Sequence, residues 1–227
     1  MIGWRGKIGL LVPSGNTVIE PEFQAMVPQG VAVYAARMRQ TELTKEALIS
    51  IAEEAKTEIK KLADAGCDLV IYGLTAGTMM FGTDYDKILK KQLFSAGGID
   101  VITVASAVVE ELKFLGMEKI CMITPYTQEV NELEKKFLKD CGITVTAEIG
   151  MGLNQLKSIS NQNPKSLYRL VCEVYKQEVD GIFISCTNLP SLEILDFLTQ
   201  DFGKPTISSN SATCDVALRR LGISHKS

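Results

Sequence analysis

The chain has a single histidine, His225 close to its end, and a single tryptophan in 227 residues. So little histidine leaves almost nothing from which to build a zinc centre or a cysteine–histidine dyad. None of the six cysteines forms a CxxC pair. The amino terminus, MIGWRGKIGLLVPSGN, has an apolar stretch too short for a signal peptide. Without an export signal the cysteines read as free thiols, not as a disulfide framework. No apolar run approaches the roughly 20 residues that cross a bilayer, so the expectations are a cytoplasmic location and no membrane partner. The net charge of −3 gives no reason to expect nucleic acid either. Neither GxGxxG nor GxxxxGK[ST] occurs, which argues against a nucleotide cofactor. Any catalysis must rest on Cys, Tyr, Thr, Ser, Asn, carboxylates, Lys, Arg or the backbone.

What is present is an ordinary core-forming composition, 46% hydrophobic and 22% charged, long enough for one large domain or two small lobes. Short apolar runs alternate with amphipathic stretches. KIGLLVPSGN, VAVYAARM, DLVIYGLTAG, VITVASAV, KICMITPY, VTAEIGMGL, DGIFISCTNL and PTISSNSA read as buried strands running into loops. Residues 44–65 place Ala47, Ile51, Ala55, Ile59 and Leu62 on one helical face, and 104–115, 128–141, 164–178 and 212–221 behave likewise. This alternation predicts an α/β fold of parallel sheets flanked by helices.

The chain also repeats itself. CDLVIYGLTAG resembles VDGIFISCTNL, and KIGLLVPSGN resembles KICMITPYTQ; Leu74 and Cys186 share one offset, 112 residues, with Pro13 and Pro125. Two pseudo-symmetric lobes are expected: residues 1–115, completed by the C-terminal helix at 210–227, and residues 116–209. Strand ends from both would line a shared cleft.

Five strand-end turns supply backbone N–H groups suited to a small carboxylate: 13–17, 73–78, 125–127, 185–189 and 208–211. Asn16, Thr75, Thr187, Asn188 and Asn210 add side-chain donors. Cys67, Cys121, Cys141, Cys172 and Cys214 fall within strands, helices or helix ends and read as packing residues. Cys186 differs, because it follows the apolar run DGIFIS and opens a polar turn. Tyr126 sits at another strand end.

At these positions the chain resembles the aspartate/glutamate racemase superfamily, in its arylmalonate decarboxylase and maleate isomerase branch. The carriers are IGLLVPSGNTVIEPEF, RMRQTELTKEAL, YGLTAGTMMFG, PYTQEVNE, and ISCTNLPSLEIL followed by PTISSNSA. The resemblance implies flavodoxin-like lobes with the active site between them. It places Leu74 and Cys186 at the superfamily's two cysteine positions. Racemisation needs an acid and a base on opposite faces of one carbon, and leucine can be neither. Maleate isomerases use both cysteines, the first as the nucleophile. Arylmalonate decarboxylases keep only the second, with glycine at the first. Asn16 matches a substrate-holding asparagine, whereas another near 154–156 has no clear match. Thr75 and Tyr126 match carboxylate-binding residues, and Ala76 replaces a serine.

The expectation is therefore a cofactor-free enzyme acting on a small carboxylic or dicarboxylic acid. Cys186 would be the catalytic acid, with Asn16, Leu74, Thr75, Ala76, Tyr126, Thr187 and Asn188 around the substrate. Leu43 and Leu156 would extend its apolar side, and Arg37 or Arg39 reads more readily as a surface residue than as a second carboxylate anchor. Decarboxylation of an arylmalonate-like acid comes first; maleate-to-fumarate isomerisation or carboxylate binding without turnover are the alternatives. The sequence does not fix the oligomeric state, and a homodimer remains open.

Overall fold

The computed structural model describes residues 2–40 and 43–224; His225 lies outside them. All eight expected strands are present. The first sheet holds β1 (Gly6–Pro13), β2 (Val31–Met38), β3 (Leu69–Tyr72) and β4 (Asp100–Thr103) in the order β2-β1-β3-β4. The second holds β5 (Lys119–Thr124), β6 (Thr144–Gly150), β7 (Gly181–Ile184) and β8 (Thr206–Ser208) in the order β6-β5-β7-β8. Every pairing is parallel. The central strands β3 and β7, LVIY and GIFI, are buried along their whole length, as helices on both faces of a parallel sheet require.

The helices in chain order are α1 (Ile19–Met26), α2 (Lys45–Asp64), α3 (Ala76–Met79), α4 (Thr83–Gly97), α5 (Val104–Phe114), α6 (Gln128–Asp140), α7 (Leu156–Ser160), α8 (Pro164–Val174), α9 (Leu192–Phe202) and α10 (Ser209–Arg220). In α2 the buried stripe is Leu48, Ile51, Ala52, Ala55, Ile59 and Leu62, and Thr44 caps its start by accepting from the Ala47 N–H. Ala47 itself is only half-buried. Helix α8 stops at Val174, short of the expected 178, where Tyr175 turns extended and packs its ring, tilted, against Phe202 at 4.3 Å between centroids.

The repeat is visible in the hydrogen bonding. Asp68 accepts from the Lys7 N–H at 2.7 Å, and Asp180 accepts from the Lys119 N–H at 2.7 Å. The Gly73 N–H donates to the Leu11 carbonyl at 3.0 Å, and the Ser185 N–H to that of Ile123 at 2.8 Å. Each pair is separated by the offset read from the sequence. Between the sheets lies one continuous core, with Leu10, Ile71 and Ile102 from the first, Met122, Phe183 and Ile207 from the second, and Val108, Leu112 and Val216 from α5 and α10. Helix α10 packs against α5 and α1. Among the described residues, no helix is long and apolar enough to cross a membrane.

Candidate active site

The turns after β1, β3, β5 and β7 meet where the carboxyl ends of the two sheets face each other. All eight residues expected from the sequence line one cavity there: Asn16, Leu74, Thr75, Ala76, Tyr126, Cys186, Thr187 and Asn188. Its volume is about 30 Å³, room for no more than one or two waters. A carboxylic acid therefore requires the lining side chains to part. Leu43, Leu48, Leu74, Ala76, Leu156 and Ile159 make one apolar side.

Cys186 is the one non-glycine residue with positive φ among the described residues, at 100°. Its N–H donates to Ser209 Oγ at 3.0 Å, and its sulfur accepts from the Asn188 N–H at 3.4 Å. Burial pushes the thiol up to about 11, against a lowering hydrogen bond from Tyr126. Tyr126 is buried against both Cys186 and Thr75, and burial raises its phenol well above the usual range. The Thr75 hydroxyl donates to Ser209 Oγ at 3.1 Å. Ser209 thus ties the two pseudo-equivalent turns together. The N–H groups of Thr75 and Ala76, at the opening of α3, have no intrahelical acceptor.

Thr187, Asn188 and Asn16 line the cavity but are largely engaged within the protein. The Thr187 hydroxyl donates to the Gly73 carbonyl and accepts from Asn16 Nδ2, both at 3.0 Å. Asn16 Oδ1 accepts from the N–H groups of Val18 and Ile19, capping α1. Asn188 accepts from the Thr17 N–H at 3.1 Å and donates to the Leu156 carbonyl at 2.7 Å. These residues join the halves of the cleft; the Thr75 and Tyr126 hydroxyls are engaged with Ser209 and Cys186, and the amides that open α3 are the donors without an intrahelical acceptor. Arg37 pairs with Glu20 and donates to the carbonyls of Ser14 and Asn16, and the Arg39 N–H meets Glu54. Neither arginine lines the cavity. Asn154 is exposed, and its carbonyl accepts from the Leu43 N–H at 3.3 Å.

Sequence reasoning missed Gln40, Leu48 and Ile159 in the lining and Ser209 behind it. It also missed Glu134, a carboxyl buried on α6 whose Oε1 accepts from Ser185 Oγ at 2.5 Å. The available signal was a charged residue on an apolar stripe: Val130, Asn131, Glu134, Phe137 and Leu138 share the buried face. Among the described residues no cluster of His, Cys, Asp or Glu could hold a metal.

The arylmalonate decarboxylase family model matches residues 8–227. The chain belongs to that family. Maleate isomerase from Geobacillus stearothermophilus is 28% identical across 96% of this chain and 92% of its own length. Arylmalonate decarboxylase from Bordetella bronchiseptica is 23% identical across 95% and 90%. A solved Nocardia farcinica maleate cis–trans isomerase variant, holding a covalently bound succinylcysteine intermediate, superposes with a TM-score of 0.91 at 22% identity, over 96% of this chain and 93% of that one. Among these relatives of the arylmalonate decarboxylase family the two-sheet fold is shared while the named reactions differ.

Proposed function

We propose that this protein is a cofactor-independent enzyme that decarboxylates a malonate-type carboxylic acid, with Cys186 as proton donor. The observation that carries the reading is a single buried thiol, pushed well up by burial, lining one cavity with Leu43, Leu48, Leu74, Leu156 and Ile159. Leu74, its pseudo-equivalent in the repeat, lines the same cavity and can supply no second thiol.

One substrate carboxylate is held by Thr75, Tyr126 and the amides of Thr75 and Ala76. The other lies against Leu43, Leu74 and Leu156, where a carboxylate without partners is costly. The bond between that carboxylate and the α-carbon breaks, CO2 leaves, and the electron pair stays as an enediolate. Its developing charge falls on donors already in place. The Cys186 thiol then gives its proton to the α-carbon from one side, and the thiolate recovers a proton from water.

Maleate isomerisation is the second reading, favoured by what the named relatives do. It needs a thiolate to add to the double bond. A thiol held up at about 11 is ionised in only about one molecule in ten thousand at pH 7. The acid role suits such a thiol better than the nucleophile role.

The test is proton NMR in D2O with phenylmalonate and maleate, for the protein and its Cys186→Ala form. α-Deuterated phenylacetate that disappears with the variant supports decarboxylation. Fumarate would establish isomerisation instead. Binding without turnover, unaffected by the substitution, would leave a carboxylate-binding protein.

A further inference from the structure

The repeat provides an internal control for the surroundings of Cys186. Applying the offset to Glu134–Ser185–Cys186 gives Glu22–Gly73–Leu74. Both glutamates are buried, each on the helix that follows the first strand of its half. Their engagements differ. Glu22 accepts from the N–H groups of Ser191 and Leu192 and from Asn210, so both its oxygens are used. Glu134 has one donor, Ser185, and its Oε2 is buried without a hydrogen-bond partner. The turn with leucine has glycine where the turn with cysteine has serine. The serine–glutamate pair thus occurs only in the half that carries the thiol.

A buried carboxyl oxygen without a protein partner is expensive to keep for stability alone. It lies where its charge is felt by both Cys186 and Tyr126. The other charge facing it is Glu148 on β6, which pairs with Lys135 on the outer side of α6. We propose that Glu134 is a positioning residue for Cys186: through Ser185 it fixes the strained peptide that aims the thiol, and its charge keeps that thiol in the acid form. This deepens the proposed reaction and rests on it for its purpose, although its physical effect is measurable without any substrate.

The effect has a direction. Burial raises the Glu134 carboxyl to about 7, with Ser185 opposing and Glu148 adding to the rise. As pH climbs past neutrality Glu134 becomes an anion behind the thiol. Losing the thiol proton then means placing a second negative charge beside the first. Burial does most to hold the thiol as a donor, and the Glu134 charge adds to that rise as the pH climbs.

The measurement is the rate of iodoacetamide labelling at Cys186, read by mass spectrometry from about pH 6 to about pH 11. It is made on the full chain, Glu134→Gln and Ser185→Ala, without substrate. Glu134→Gln should label about tenfold faster at a given pH between neutrality and the midpoint, the midpoint moving down. Ser185→Ala should label faster between about pH 7 and 8, because Glu134 without its donor ionises later, and should rejoin the parent curve at higher pH. A folded Glu134→Gln protein with the parent profile would overturn the proposal. If that variant does not fold, an unchanged profile in Ser185→Ala would overturn it equally. A shifted profile in a protein that decarboxylates nothing would keep this proposal and sink the reaction, so the two failures are distinguishable.

Discussion

At Cys186 the backbone holds a side chain at φ 100°, a conformation that only glycine adopts without strain. The surrounding bonds from Cys186 N–H to Ser209 and from Asn188 N–H to the sulfur hold it there. Two substitutions that remove the thiol should therefore differ in stability. Cys186→Gly relieves the strain that Cys186→Ala retains, and should unfold about 1 kcal/mol later in urea. Equal midpoints would mean that the turn carries no strain. A second prediction concerns the proposed carboxylate donors. Thr75→Val and Tyr126→Phe each remove one, and each should lower kcat by a factor of about 10²–10³ with a smaller change in KM. A rise in KM alone would make them ground-state contacts. The sequence made Cys186, Thr75 and Tyr126 legible because each ends an apolar strand, where side chains project into the cleft. Ser209 and Glu134 were not legible in that way. Their roles depend on which strands become neighbours, and a serine in a Ser-rich turn or a glutamate on a helix carries no sign of its partner.

Elements from the two halves are joined by buried polar bonds as well as by apolar contact. Glu22 on α1 accepts from the N–H groups of Ser191 and Leu192 at the start of α9, at 2.9 and 3.0 Å, and from Asn210 on α10 at 2.7 Å. The α9 dipole also favours the charge there. Glu22→Ala would strand two amides and an asparagine, and should cost about 3 kcal/mol, read as a shift in the urea midpoint at constant slope. A loss below about 1 kcal/mol would mean that water replaces the carboxylate. This junction was only half visible beforehand. The helices expected at 44–65, 104–115 and 128–141 are present within a few residues, because their apolar stripes are long and regular. Helices α1, α4 and α9 were not among those expected. α1 has only eight residues and carries its buried glutamate among Ile19 and Phe23, which breaks the pattern. α4 buries only Asp86, Leu89 and Leu93.

For the molecule as a whole, the buried carboxyls set how stability responds to pH. Burial raises Glu22, Asp86, Glu111 and Glu134 above their usual range, Glu134 to about 7. In the unfolded chain Glu134 ionises near 4.5. Between these values the folded protein binds more protons than the unfolded one, so stability is greatest at the acid end and declines as pH rises. For Glu134 alone the decline amounts to about 3 kcal/mol, complete just above neutrality. In a chain of this size that corresponds to roughly 6–12 °C in Tm. Glu134→Gln has no proton to lose and removes that part of the slope. Melting followed by circular dichroism from about pH 5 to about pH 8 should therefore give a flatter curve for the variant. Above neutrality the variant should be the more stable of the two, since the parent then carries a buried anion with one partner. Parallel curves would mean that Glu134 is ionised throughout the range, and its influence on the thiol would then be constant with pH instead of appearing near neutrality.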